Sequence, residues 1–123
     1  MPFQVRHCIP MIHVASVSAS ISFYELFGFR VMNVHPGPSD GPITWAWIES
    51  DAAQLMLTKA SEPVDPRRQG VLFYFYCDDV AEAKASLEKD GIRTGEIASP
   101  FYSPQGEFRV LDPDGYELMV THT

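Results

Sequence analysis

A chain of 123 residues has room for one compact unit that buries roughly two-thirds of its unfolded surface. Its 46% hydrophobic and 20% charged residues are ordinary for a globular protein, and no apolar run approaches the roughly 20 residues of a membrane span. Nine basic residues against 16 acidic ones give a net charge of −7, which argues against nucleic acid, because phosphate recognition needs a basic surface.

The opening residues, Met1-Pro2-Phe3-Gln4-Val5-Arg6, have no signal-like apolar core, so the expected location is cytoplasmic. Cys8 and Cys77 have neither CxxC spacing nor a cysteine-dense context and read as reduced thiols. Ile9 to Val14 reads as an apolar strand. Ser16 is a helix N-cap, and Val17, Ile21 and Tyr24, with Phe23 and Phe27, make the apolar stripe of the helix that follows. Gly28 stops that helix. Phe29 to Val34 predicts a strand, His35 to Pro42 a loop rich in proline and glycine, and Ile43 to Glu49 with Gln54 to Lys59 a hairpin.

Ala60 to Gly70 reads as a polar linker. Beyond it, Val71 to Cys77 predicts an aromatic-rich strand. Asp79 with Glu82 makes a capping-box start for a helix over Val80 to Lys89, which Gly91 ends. Ile92 to Ile97 predicts a further strand and Ala98 to Gly106 a loop. The last stretch, Arg109 to Val120, is a hairpin about Asp112-Pro113-Asp114-Gly115. With Asp114 and Gly115 as the turn, Leu111 opposes Leu118 and Val110 opposes Met119.

The two halves match in register. Asp51 and Asp114, Leu55 and Leu118, Met56 and Met119, Gly28 and Gly91, and Trp45 and Phe108 all stand 63 residues apart, with no gap required. That pattern predicts an internal duplication of a βαβββ unit.

Ile9-Pro10-Met11-Ile12-His13-Val14, Ser22-Phe23-Tyr24, Leu26-Phe27-Gly28-Phe29 and the terminal Asp112-Pro113-Asp114-Gly115, in this order and within a tandem repeat, resemble the vicinal oxygen chelate superfamily. That superfamily includes glyoxalase I, extradiol dioxygenases, and fosfomycin- and bleomycin-resistance proteins. The resemblance implies an α+β fold in which two tandem βαβββ modules form a cup-shaped, partly open β-barrel with helices on its outer face. The single domain, 1–123, then comprises module one at 7–59, a linker at 60–70 and module two at 71–123.

The resemblance also places the family's metal-ligand positions at Ile9, Met56, Leu72 and Met119. None offers the imidazole, carboxylate or thiolate that a divalent ion needs, so no metal and no cofactor are expected. Period-2 alternation from those positions predicts a cup lined by Met11, His13, Trp45, Trp47, Met56, Tyr74, Tyr76, Phe108 and Met119. Ile12, Val14, Leu55, Phe73, Phe75 and Leu118 fall on the opposite face as core. His13 reads either as a hydrogen-bonded rim histidine or, with Glu49 or Glu117, as part of a relocated metal site. Phe101 and Tyr102 stand in a proline-flanked loop that suits either a lid or a dimer contact.

Aromatic faces and methionines suit planar or cationic ligands. The expected function is therefore metal-independent binding or sequestration of a small aromatic or cationic molecule, as in antibiotic resistance, with no catalytic residues. The expected assembly is a homodimer whose sites are shared between chains. The alternative is a glyoxalase-like lyase or dioxygenase-like metalloenzyme with relocated ligands.

Overall fold

Ser16 and Asp79 start the two helices as their residue types dictate. The Ser16 side chain accepts from the Ala19 amide at 3.1 Å, and the Asp79 carboxylate accepts from the Glu82 amide at 3.0 Å. Each satisfies one of the donors that a helix start leaves open. In the computed structural model, which describes residues 3–37 and 39–123, these helices are α1 (Val17–Glu25) and α2 (Val80–Lys89). Met1, Pro2 and Pro38 of the predicted 35–42 loop lie outside the described residues. Gly28 and Gly91 follow the helices at φ +90° and +82°, where a side chain would be strained.

The chain divides into two compact units, Met1–Val64 and Asp65–Thr123. The first contains β1 (Met11–Val14), α1, β2 (Arg30–His35), β3 (Trp45–Ser50) and β4 (Ala53–Lys59) in one sheet of order β1-β4-β3-β2. Strands β1 and β4 are parallel, and the other pairs are antiparallel. Opposed residues share a face, so Ile12, Val14, Ala46, Ile48, Leu55 and Leu57 lie together and are buried beneath Val17, Phe23 and Tyr24 of α1. The turn between β3 and β4 has two residues: Ser50 pairs with Ala53, and Asp51 takes φ +51°.

The second unit contains a short 3-10 turn at Pro66–Arg68, then β5 (Leu72–Cys77), α2, β6 (Glu107–Leu111) and β7 (Glu117–His122) in order β5-β7-β6. Strands β5 and β7 are parallel, while β6 and β7 form the terminal hairpin. That hairpin departs from the expected register. The Asp112 carboxylate accepts from the amides of Asp114 and Tyr116, each at 2.9 Å, and the Gly115 amide donates to the Asp112 carbonyl at 3.0 Å. Pro113 thus opens a turn that Gly115 closes at φ +87°, giving a three-residue loop rather than the expected Asp114-Gly115 pair. Val110 consequently opposes Leu118, and Arg109 opposes Met119. Every β6 side chain changes face relative to the expectation. The ungapped match of the two halves slips by one residue at this turn.

The strand expected over Ile92 to Ile97 does not form. Only isolated bridges, Thr94 to Val110 and Ala98 to Glu107, join this segment to β6. A side-chain cluster takes the place of the ladder. The Lys84 ammonium of α2 donates to the Gly95 carbonyl at 2.8 Å and to the Thr94 hydroxyl at 2.6 Å, and lies 3.3 Å from Glu88. The Thr94 hydroxyl in turn donates to Glu88 at 2.9 Å.

The Thr94 hydrogen bond, then the Lys84 hydrogen bond, hold the Glu88 carboxyl below its ordinary value of 4.5. A depressed acid stabilises above its unfolded value, so this support is complete above pH 4.5 and fades as pH falls through the lowered value. Lys84→Met is expected to destabilise the protein by about 1–3 kcal/mol. Faster amide exchange at Gly95 and Ala98 should accompany that loss, and unchanged exchange there would show that the cluster does not hold the segment.

Candidate functional site

Each sheet has one face under its helix and one face free of it. In the first unit the free face is built from rows of paired residues: Met11, Met56 and Trp47 in one row, His13, Thr58 and Trp45 in the next. Asn33 and His35 of β2 extend these rows. The expected neighbours Met11, His13, Trp45, Trp47 and Met56 are therefore brought onto one surface. Met11 is 47% exposed, whereas Trp45, Trp47 and Met56 are half-buried. The Trp47 indole N–H is buried and has no acceptor among the described residues.

In the second unit the free face carries Tyr74, Met119 and Arg109 in one row and Tyr76, Thr121 and Glu107 in the next. Tyr74 and Tyr76 are exposed, with rings 6.3 Å apart. Phe108 is not on the sheet face of Met119 as expected. It opposes Val120 on the helix side, is 1% exposed, and lies under the Lys84 ammonium, 5.9 Å from the ring centre. The physical reason is the extra turn residue, which gives Glu107 and Arg109 the places that Trp45 and Trp47 take in the first unit.

Two adjoining grooves open on this face. One, of about 340 Å³, is bordered by Tyr74, Tyr76, Tyr102, Ser103, Glu107 and His122; the other, of about 250 Å³, by Tyr74, Glu96, Tyr102, Glu107, Arg109 and Met119, with the expected lining residue Phe108 at its edge. Glu107, only 5% exposed, borders both. Its carboxylate accepts from the Tyr102 hydroxyl at 3.3 Å, and the nearby negative charge, with some burial, raises the Tyr102 pKa. Ser103 and Thr121 share a buried hydroxyl contact at 2.8 Å beneath. Phe101 is 96% exposed and stacks edge-on against Tyr102.

Glu107 and Arg109 are groove residues that the sequence expectation missed, whereas Tyr102 was expected only in a loop suited to a lid or a dimer contact. The signal was present in Asp112-Pro113-Asp114-Gly115: proline second and glycine last favour a turn with a left-handed closing residue, which sets the other register.

Among the described residues no group of three or more His, Cys, Asp and Glu side chains stands close enough to hold an ion. His13 and Glu49 share a face but lie four residues apart along the ladder, about 13 Å. Glu49 accepts from the Gln54 amide at 2.8 Å, and Glu117 is ion-paired with Arg109. At Ile9, Met56, Leu72 and Met119, where the sequence resemblance places the ligand positions, alkyl and thioether groups do not fit a hard or borderline divalent ion. Both cysteines are free, and burial raises the Cys77 thiol. Among the described residues no helix is long and apolar enough to cross a membrane.

Two strand pairs, one parallel and one antiparallel, recur in each sheet around a central strand, β4 in the first and β7 in the second. Over residues 4–120 the chain matches the Glyoxalase/Bleomycin resistance protein/Dioxygenase superfamily, and it belongs to that family.

Solved structures narrow the likeness further. The bleomycin resistance determinant encoded on transposon Tn5 superposes with a TM-score of 0.77 at 17% identity, covering 97% of this chain and 98% of that one. A bleomycin-binding protein complexed with bleomycin gives 0.75 at 17% identity, covering 97% and 99%. TnmS3, an antibiotic-binding protein from Streptomyces sp. CB03234, gives 0.76 at 20% identity, covering 98% of each chain. At these identities the likeness establishes the fold. No curated protein sequence matches the chain.

Proposed function

We propose that this protein binds and sequesters a small aromatic or cationic molecule on the free faces of its sheets, without a metal. The observation that carries the reading is the row of Met11, Met56 and Trp47 beside Trp45, a broad apolar and aromatic surface that no helix of its unit covers. Such surfaces are characteristic of small-molecule sites. The buried Trp47 indole N–H adds to it, since an acceptor on a ligand would remove a desolvation cost of about 1–3 kcal/mol. Antibiotic binding by several proteins of the same fold gives the reading its direction. A tandem organisation of two related modules, the second with isolated bridges in place of the strand after its helix, a cytoplasmic location and a homodimer with shared sites belong to the same reading.

The test is a fluorescence titration of the two tryptophans with bleomycin and a panel of planar aromatic antibiotics, with and without chelator. At least one compound is expected to bind, equally well in both conditions. Trp47→Ala is expected to weaken that binding roughly tenfold or more. Its stability loss should stay well below the ~3–5 kcal/mol of a core tryptophan. A badly destabilised variant that still binds would place Trp47 in the core, and affinity lost to chelator would make the protein metal-dependent.

A further inference from the structure

We infer that the groove beside Glu107 receives the ammonium group of an organic cation, which makes an aromatic amine the ligand class of the second unit's free face. The inference rests on the small-molecule reading above and specifies the charge that the ligand must carry.

Glu107 is the only carboxylate on this face that is nearly wholly buried among the described residues, at 5% exposure, yet it borders both grooves. A buried carboxylate is costly unless its oxygens are matched by donors. One oxygen accepts from the Tyr102 hydroxyl at 3.3 Å, a long and neutral bond. The neighbouring guanidinium does not serve it. Arg109 lies next along the face but is ion-paired with Glu117. Also at the grooves are Glu96, a second carboxylate, and the His122 imidazole, whose Nδ1 lies 2.7 Å from the Thr123 carbonyl.

The groove therefore has excess negative charge, with the Tyr74, Tyr76 and Tyr102 rings around it. Aromatic faces together with a carboxylate form the usual environment for an organic cation. An ammonium supplies the strong donor that Glu107 lacks, and its aromatic body stacks on the tyrosines. An anionic or neutral ligand would leave the carboxylate repelled or unmatched.

The probes are 1-naphthylmethylamine and its neutral counterpart 1-naphthylmethanol, titrated into the full-length protein and followed by naphthyl fluorescence. Wild type is expected to bind the amine about tenfold or more tighter than the alcohol, the range of a hydrogen bond to a charged group. Glu107→Gln, checked for native circular dichroism, should bring the two affinities together, chiefly by weakening that of the amine. Tyr102→Phe removes the competing donor and keeps the ring, so its preference for the amine should rise by a small factor.

Equal binding of amine and alcohol by wild type would overturn the cation site and leave the small-molecule reading standing. So would a preference that survives in Glu107→Gln or disappears in Tyr102→Phe. Failure of both probes to bind up to millimolar concentration would overturn both readings. If Glu107→Gln does not fold, the wild-type ratio and Tyr102→Phe decide the matter.

Discussion

Phe108→Ala is expected to lower the stability of the protein by about 3–5 kcal/mol and to cost ligand affinity less, although the residue borders the second groove. The ring is 1% exposed and shares the helix side of the second sheet with Val110, Leu118 and Val120, all buried. Truncation would leave a void in a layer where α2 packs against the sheet, and it would remove the ring beneath the Lys84 ammonium. Denaturant unfolding measures the loss, and titration of the same variant measures affinity. A stable variant that had lost binding would return Phe108 to the ligand wall and refute the observed register.

The second large effect falls at the turn itself. A Cβ on Gly115 would lie 2.1 Å from the Pro66 Cβ and 2.9 Å from its Cα, so both side chain and backbone must shift. The residue also sits at φ +87°, a conformation that costs an L-residue about 1–2 kcal/mol. Overpacking adds roughly 1–3 kcal/mol, so Gly115→Ala should cost about 2–5 kcal/mol in total. The double variant with Pro66→Gly separates the two contributions, because it relieves the overlap but not the dihedral strain. A fully additive double variant would mean that the 3-10 turn moves aside freely.

Much of the architecture was legible in the sequence because its cues are local. Ser16, Asp79, Gly28 and Gly91 act through hydrogen bonds and dihedral preferences within a few residues, and they bound the helices as expected. The first free face was equally legible: Trp47 pairs with Met56 as alternation required. Two features were not. The segment after α2 has strand-like apolar residues, but Lys84 and Glu88 on the helix capture Thr94 and Gly95, a tertiary effect that no local pattern reveals. The faces of β6 depended on whether the last turn holds two residues or three. That choice was encoded in the Asp112 carboxylate and the Gly115 conformation, while the 63-residue match to an earlier hairpin pointed the other way.

The three-residue turn has a consequence for how such a binding surface can change over time. With the strand residues of β6 held constant, one residue more or less in the loop exchanges the set Glu107, Arg109 and Leu111 for the set Phe108 and Val110 on the free face. A single-codon insertion or deletion would thus alter charge, aromaticity and shape across a whole row, where point substitutions would have to accumulate one by one. In this protein the first unit presents two tryptophans and the second a carboxylate and a guanidinium at corresponding strand positions. Loop length, not side-chain replacement alone, is then a route by which one scaffold acquires a new ligand preference.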